Sequence, residues 1–211
     1  MAGYKFIEEL LNIKKDTFNI ATGLVISYED KYLFSIQNKE KWRTIDNKYN
    51  IGLVGIGGGL ENNETIIECL QRECLEEIGQ KVILQDSKET FLIDEDMSVK
   101  MIDININNLY PRPYYISKIK NSNGKYKYPY TITISYKTNL KEFPNFFDIH
   151  GLVLIDKQDI PNIDINGMDI NEWNKMNIKI ISNEIIPNTS KLIPFGTFKS
   201  FITISQLLEK K

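Results

Sequence analysis

The chain contains few of the residues that build a covalent or zinc-dependent active site. Its 211 residues include one histidine, His150, and two cysteines, Cys69 and Cys74. Cysteines five residues apart in a predicted helix match neither zinc-ligand spacing nor a disulfide pair, so we expect buried thiols in a reducing compartment. No serine or cysteine nucleophile is paired with a histidine in the sequence. His150 lies in a predicted loop, where a structural and a catalytic role both stay open.

A strong net charge and a long apolar run are also missing. The 26 basic and 28 acidic residues give a net charge of −2, which provides no global attraction to nucleic acid or to anionic membranes. No apolar run is long enough to span a bilayer, and the mixed charges of residues 1–18 do not form a secretory signal. We therefore expect a cytoplasmic protein with no membrane association, for which nucleic acid is an unfavoured partner.

Length and composition predict one domain with extensions. Hydrophobic residues make up 42% of the chain and charged residues 26%, as in ordinary globular proteins. We predict a single domain over residues 1–211, with four added segments. They are an N-terminal extension (1–18), a loop over the site (39–50), a Tyr/Lys-rich hairpin (110–137) and a C-terminal helical segment (165–211). A homodimer is one of the oligomeric states left open.

Local patterns predict mixed strands and helices, and therefore an α/β class. The predicted strands are 20–27, 32–37, 51–56, 81–85, 89–93, 131–138 and 152–155. The predicted helices are 5–13, 64–78, 169–176 and a C-terminal helix marked by apolar residues from Phe198 to Leu208. In the third helix, Glu172 follows Asp169 by three residues, as a capping box requires.

Glycines and acidic residues are concentrated between residues 55 and 79. The glycines at 55, 57, 58 and 59 form a loop whose backbone can approach a ligand or metal closely. Asn62 or Asn63 can cap the helix that follows, and Gly79 stands where a left-handed C-terminal cap is expected. The segment lacks the Gly-Lys-Ser/Thr ending of a phosphate-binding P-loop and does not support a dinucleotide fingerprint.

Three carboxylates share one face of that helix. Glu73, Glu76 and Glu77 stand at i, i+3 and i+4, where like charges four apart cost roughly 0.2–0.5 kcal/mol per pair. The repulsion among these carboxylates indicates a cation that offsets it. Oxygen ligands favour magnesium first, then manganese or calcium. The alternative is an ordinary solvated acidic helix face.

The spacing of these residues resembles the Nudix box. The box runs from Gly58 to Gln80, and its matching positions are Gly58, Glu64, Arg72, Glu73, Glu76, Glu77 and Gly79. Two aliphatic positions of the family differ, because Cys74 and Gln80 stand there. The motif covers 23 of 211 residues but fixes seven separated positions, so it is far more specific than a glycine-rich loop. The resemblance implies a Nudix-like α/β/α sandwich with a mixed β-sheet.

The resemblance also implies a chemistry and a set of roles. The reaction would be metal-assisted hydrolysis of a phosphoanhydride in a nucleoside diphosphate linked to another group, with Mg2+ or Mn2+ as cofactor. Glu76 and Glu77 would be the principal metal ligands, and Glu73 a further ligand or the base. The Gly58 carbonyl would complete the shell and Arg72 would orient the carboxylates. Glu64 would bind metal through water or brace the loop.

The segment between residues 110 and 137 is a candidate for substrate binding. It holds seven of the 11 tyrosines, interleaved with lysines, around a turn at Asn121-Ser122-Asn123-Gly124. Such a pattern is typical of a hairpin with packed tyrosines and solvated lysines, but it can also stack bases and neutralise phosphates. Tyr110, Arg112 and Tyr114 are the candidates for contact with the base of a small nucleotide.

A carboxylate from outside the box is expected near the metal, as in several Nudix relatives. The segment from Leu140 to Gly151, between two predicted strands, is the best candidate and holds Glu142, Asp148 and His150. We choose Glu142 narrowly over Asp148 as a catalytic residue, because its longer side chain can reach farther from a loop. An ordinary polar connection is the alternative.

Three function classes follow from the sequence. The first is a pyrophosphohydrolase of a small nucleotide, such as a nucleotide sugar or a nucleoside triphosphate. The second is a Nudix-like module that senses a ligand without turnover, and the third an enzyme that trims RNA 5′ ends. The complete set of carboxylates favours the first class over the second, and the near-neutral charge favours it over the third. The substrate and the leaving group cannot be read from the motif.

Overall fold

A mixed β-sheet forms the centre of the fold. The computed structural model describes residues 2–105, 109–121, 127–176 and 178–210, and thirteen strands of these residues belong to one sheet. The strands are β1 Phe18–Tyr28, β2 Lys31–Ile36, β3 Arg43–Ile45, β4 Lys48–Val54, β5 Leu84–Gln85, β6 Thr90–Ile93, β7 Val99–Ile102, β8 Tyr115–Lys120, β9 Tyr130–Leu140, β10 Gly151–Asp156, β11 Met168–Asp169, β12 Lys179–Ser182 and β13 Ser190–Pro194. The helices are α1 Ala2–Leu11, α2 Ile66–Ile78, α3 Ile170–Trp173 and α4 Gly196–Glu209.

The long strands β1 and β9 lie at the middle of this sheet. They pair in parallel, from Phe18 opposite Tyr130 to Tyr28 opposite Leu140. The main order of strands is β11-β13-β4-β2-β1-β9-β8-β6-β7. Beyond β4, the glycine loop runs back along β1, with bridges between Ala21 and Gly59 and between Leu24 and Ile56. This path places the loop beside the sheet and in front of α2.

Two apolar layers cover the two faces of the sheet. On one face, α1 and α2 contribute Ile7, Leu70 and Cys74 to a buried cluster that includes Ile20 and Leu24 of β1. On the other face, α3 and α4 contribute the buried residues Trp173, Phe198, Phe201 and Ile202. Alternating residues of a strand point to opposite faces, so β2 and β10 supply both clusters. The predicted α/β/α sandwich with a mixed sheet is confirmed. None of the helices in the described part of the chain is long and apolar enough to cross a membrane.

The predicted loop at 39–50 is wrong, because most of this segment is a β-hairpin. A short 3-10 helix at Lys39–Lys41 is followed by β3 and β4, which pair from Arg43 opposite Asn50 to Ile45 opposite Lys48. The two residues of the turn, Asp46 and Asn47, have φ angles of 49° and 60°. Such a turn fits the twist of a two-residue hairpin, and aspartate and asparagine tolerate this conformation.

The predicted C-terminal helical segment at 165–211 is also only partly helical. Three strands precede α4, and β13 pairs in parallel with β4, from Ser190 opposite Tyr49 to Pro194 opposite Leu53. A parallel partner about 140 residues away in sequence cannot be read from a local pattern, because parallel pairing depends on tertiary packing. The capping box of Asp169 and Glu172 is present at α3 as predicted.

The predicted hairpin at 110–137 is present as β8 and β9. These strands pair antiparallel, from Tyr115 opposite Ser135 to Lys120 opposite Tyr130. The predicted turn residues Ser122, Asn123 and Gly124 lie outside the described residues.

Candidate active site

An open cleft of about 440 Å³ lies where the glycine loop passes the sheet. The loop glycines 55, 57, 58 and 59 form one wall of it, together with the Glu77 side chain of α2. The other walls carry Asn19, Ala21, Thr22, Ser35, Ile36, Gln37, Asn38, Lys41, Val54, Ile119, Asn121, Thr131, Thr133, Asp148, Ile149, Phe195, Gly196 and Thr197. The cleft therefore brings one box carboxylate together with polar and charged residues from five separate parts of the chain.

The helix that carries the box carboxylates is held at both ends by its own sequence. Thr65, rather than the predicted Asn62 or Asn63, is the N-cap. Its hydroxyl accepts the Glu68 N–H at 3.2 Å, and the Glu68 carboxylate accepts the Thr65 N–H at 2.7 Å. Threonine followed three residues later by glutamate is the capping-box pattern, so this cap was readable from the sequence. Gly79 ends the helix with a φ of 69°, as predicted.

The glycine loop approaches both β1 and α2 closely. The Gly58 carbonyl accepts the Thr22 N–H at 2.8 Å, which occupies one of the two lone pairs of this predicted metal ligand. A Cβ atom at Gly58 would lie 2.2 Å from the Glu73 carboxylate. Any side chain at this position would therefore displace Glu73 or the loop, which accounts for the glycine in physical terms.

Arg72 connects the box carboxylates on the side of the loop. Its guanidinium nitrogens contact Glu64 at 3.0 Å, Glu73 at 2.7 Å and Glu76 at 3.2 Å, and donate to the Gly59 carbonyl at 3.2 Å. The hydrogen bond from Arg72 lowers the pKa of Glu64 to about 2. Glu64 also accepts the Glu61 N–H at 2.6 Å. This contact corresponds to the second of the two roles considered for Glu64, bracing the loop. Arg72 thus fixes the carboxylates relative to the glycine backbone.

Glu77 differs from the other box carboxylates because it makes no ion pair among the described residues. Its carboxylate faces the cleft and accepts the Gly57 N–H at 3.1 Å. Burial raises the pKa of Glu77 to about 8, and the charges of Glu73 and Asp148 act in the same direction. The hydrogen bond from Gly57 and the charge of Lys41 favour the anionic form of Glu77, and a bound cation would favour it further.

The donor chemistry of this region fits a hard divalent ion. Glu73, Glu76, Glu77, Asp148 and the Gly58 carbonyl offer only oxygen atoms, and a cation close to Glu77 would favour its anionic form. Within the described ranges, however, no three acidic, histidine or cysteine side chains already converge as a metal site. Glu73 and Glu76 instead contact Arg72, so an ion bound here would compete with Arg72 for both carboxylates.

The loop after β9 places Asp148, rather than Glu142, at the cleft. Asp148 lines the cleft, and the Asn38 side chain donates to its carbonyl at 3.2 Å. Glu142 is exposed at the start of the loop and is absent from the described residues that line the cleft. His150 is buried against Trp42, with 4.8 Å between the ring centroids. The loop turns inward after residue 146, where Phe147 donates its N–H to the Glu77 carbonyl at 3.1 Å.

The three candidates for base contact do not line the cleft in the described structure. Tyr110 is 66% exposed, and Arg112 forms an ion pair with Asp86 at 2.6 Å. Tyr114 is buried in the apolar layer under α4, where its ring packs edge-on against Phe91. The hairpin does reach the cleft, but through the opposite end of the β8–β9 pair, by way of Ile119, Asn121, Thr131 and Thr133. Tyr114, Tyr115 and Tyr136 are buried and follow the alternative weighed from the sequence, in which tyrosines of the hairpin pack, whereas Tyr110 does not.

Lys137, which lies over the Tyr114 ring, is itself partly buried, and this burial has an effect that can be measured. The Lys137 ammonium lies 3.3 Å from the Tyr114 ring centroid, and burial lowers the pKa of Lys137 to about 8 from 10.5. Below about pH 8 Lys137 is charged in both the folded and the unfolded chain, so its burial destabilises the fold to the full extent. As pH rises toward 10.5 the folded chain loses the proton first, and the destabilisation decreases. We expect Lys137→Met to be more stable than wild type at pH 7, with a smaller difference at pH 9.5. Denaturant unfolding at the two pH values measures this, and an equal difference at both would contradict it.

Comparisons with known proteins give matches among solved structures at low sequence identity. No protein-family model and no curated protein matches the chain. Among solved structures, a Nudix family hydrolase from Clostridium perfringens is 19% identical, over 70% of this chain and 87% of that one, with a TM-score of 0.43. The MutT protein from Methanosarcina mazei is 14% identical over 72% and 86% of the chains, with a TM-score of 0.43. The dihydroneopterin triphosphate pyrophosphohydrolase of E. coli is 13% identical over 69% and 87%, also with a TM-score of 0.43.

These similarities concern the fold alone. The mixed sheet, the covering helices and the capped helix behind the glycine loop form the α/β/α sandwich that the box predicts. At such identities and TM-scores, any activity has to be argued from the residues of the cleft.

Proposed function

We propose that the protein is a divalent-metal-dependent hydrolase that cleaves a phosphoanhydride bond in a nucleoside diphosphate linked to another group. The observation that carries this proposal is the position of Glu77. It is a half-buried carboxylate facing an open cleft, next to a glycine loop and to an arginine that holds three further carboxylates. This arrangement combines oxygen ligands for a cation with space for an anionic substrate.

The residues of the box would divide the work of holding the ion. Glu73, Glu76 and Glu77 would provide the ligands, with the Gly58 carbonyl beside them. When bound, Mg2+ or Mn2+ neutralises the diphosphate and lowers the pKa of the attacking water. Arg72 keeps Glu64 in place against the loop, and Glu73 and Glu76 would exchange part of their contact with Arg72 for contact with the ion.

The proton of the attacking water would go to a carboxylate at the cleft wall. Asp148 is our preferred base, because it lines the cleft and its backbone is held by Asn38. Glu73 is the second choice. Its Oε1 already accepts a hydrogen bond from Arg72 at 2.7 Å, which makes this oxygen a weaker proton acceptor. Asn19, Asn121, Thr131 and Thr133 line the same cleft with uncharged polar groups. The Thr131 hydroxyl already bonds to Asn19 and Asn121, at 2.9 Å and 3.1 Å, so a base or sugar would contact the remaining groups of this set.

The other two function classes have less support. A ligand-sensing module does not need the complete set of box carboxylates, all of which are present here. An RNA 5′-end hydrolase was suggested by the Tyr/Lys-rich hairpin, but Tyr114 is buried and Lys137 lies over it. A panel of nucleotides incubated with magnesium, with detection of the released monophosphate, separates a hydrolase from a sensing module. Binding of RNA that weakens steeply with salt would support the third class.

Metal binding itself has an expected thermal signature. We expect saturating Mg2+ or Mn2+ to raise the melting temperature by about 5 °C, because the ion binds only the native site and relieves repulsion among Glu73, Glu76 and Glu77. Differential scanning fluorimetry across a metal titration measures this, with NaCl at equal ionic strength as the control. A melting temperature that does not depend on the divalent ion would contradict the metal site.

A further inference from the structure

A second groove continues the cleft on the side of the β3–β4 hairpin. It has a volume of about 510 Å³ and is lined by Gln37, Glu40, Lys41, Trp42, Arg43, Asn50, Gly52, Ile193 and Phe195. Gln37, Lys41 and Phe195 line both cavities, so the two are contiguous. The groove exists because Asp46 and Asn47 turn the chain into a hairpin and because β13 packs beside β4.

The charge of this groove is opposite to that of the cleft. Lys41 and Arg43 face it, with Glu40 as the only carboxylate among its described lining residues. Neither the Lys41 nor the Arg43 side chain makes a hydrogen bond or an ion pair with another residue in the described part of the chain. By contrast, Arg72 and Arg112 pair with carboxylates, at 2.7 Å and 2.6 Å. Two exposed cations that form no salt bridge within the described residues, in a concave surface next to a reaction site, fit an anionic ligand, although the charge of Lys41 also acts on Glu77.

Aromatic side chains complete the groove. Phe195 is 56% exposed at the border of the two cavities, and its backbone is fixed by a hydrogen bond from its N–H to the Leu53 carbonyl at 2.8 Å. Trp42 is fixed by donating its indole N–H to the Gln37 carbonyl at 2.7 Å. Aromatic side chains that line one groove with two cations suit a ring system that carries phosphate, because aromatic faces stack on rings and guanidinium groups bind phosphate through paired hydrogen bonds.

We propose that this groove binds a phosphate monoester on the part of the substrate outside the cleaved diphosphate. The preferred substrates are then nucleoside diphosphate derivatives that carry an additional phosphate, and Lys41 and Arg43 select them. This inference rests on the proposed hydrolysis at the box. It assigns the diphosphate to the carboxylate side of the cleft and the additional phosphate to the cationic side.

The test uses pairs of compounds that differ by one phosphate monoester. Coenzyme A is compared with dephospho-coenzyme A, and NADP+ with NAD+. We expect kcat/KM to be about tenfold higher for the phosphorylated member of at least one pair, as one charge-assisted contact is worth about one power of ten. Arg43→Gln and Lys41→Gln should each reduce that ratio. Lys88→Gln, a matched change at an exposed lysine before β6, should leave the ratio unchanged.

A binding measurement separates this inference from the hydrolysis itself. Calorimetry in the presence of chelator compares adenosine 3′,5′-bisphosphate and adenosine 2′,5′-bisphosphate with AMP. Tighter binding of either bisphosphate, lost in Arg43→Gln, supports the groove even if no diphosphate is hydrolysed, in which case only the proposed function fails. Equal binding of the three nucleotides overturns the inference. The same holds for equal kcat/KM with and without the added phosphate in both pairs of compounds.

Discussion

Glu77→Gln is expected to reduce turnover about a thousandfold while the protein stays folded, because the change removes a ligand charge worth about 4 kcal/mol of barrier lowering. The amide oxygen of glutamine can still accept the Gly57 N–H, which the Glu77 carboxylate now accepts at 3.1 Å. Glutamine also has nearly the same shape, so the packing of α2 is retained. The measurement is the initial rate of monophosphate release at saturating magnesium, together with a melting curve.

Glu68→Gln is the matched control for this change, on the same helix. Glu68 is exposed in the first turn and closes the capping box with Thr65, a role that glutamine also performs. We expect Glu68→Gln to keep near wild-type turnover. Wild-type rates in Glu77→Gln, or full activity in excess chelator, would remove the metal-dependent mechanism and leave the box as a structural feature.

The helix and its loop could be predicted because their signals are local. Capping residues, a glycine at the C-cap and apolar residues at helical spacing all lie within one segment, and α2 forms from Ile66 to Ile78 accordingly. The three box carboxylates share a helix face in the sequence, but their partners differ in the structure. Arg72 pairs with Glu73 and Glu76, whereas Glu77 turns to the Gly57 amide and the cleft. Helical spacing determines which side chains are neighbours on the helix. It does not determine which carboxylates pair with Arg72 and which one faces the cleft.

The walls of the cleft could not be predicted, because they depend on long-range packing. Lys41 belongs to a segment that reads as a polar loop, and Phe195 follows a strand whose partner is β4. Tyr114 is one of three candidates for base contact in the sequence, but Tyr114 and the adjacent Tyr115 are both buried in the apolar cluster under α4, a tertiary contact that no local pattern shows. The Asp46-Asn47 turn was a readable signal for the hairpin, since both residues accept left-handed backbone geometry.

The loop after β9 gives the second large expected effect, through Asp148. We expect Asp148→Asn to lower kcat about 100-fold with little change in KM, because the loss of a general base acts mainly on the transition state. Asp148 lines the cleft and its charge contributes to the raised pKa of Glu77, so the two carboxylates act on the same region. The rates of both variants at several substrate concentrations give kcat and KM separately.

Glu142→Gln is the decisive comparison, because the sequence favours Glu142 for this role. Both residues are exposed, but Asp148 lines the cleft, where Asn38 holds its backbone with a hydrogen bond of 3.2 Å, whereas Glu142 lies at the start of the loop and is not among the described lining residues. A longer side chain therefore does not compensate for a position at the wrong end of the loop, and we expect Glu142→Gln to keep near wild-type kcat. If instead Glu142→Gln loses activity and Asp148→Asn does not, the loop must rearrange when substrate binds. If both variants keep wild-type kcat, Glu73 becomes the base, with Arg72 adjusting its hydrogen bond as the proton arrives.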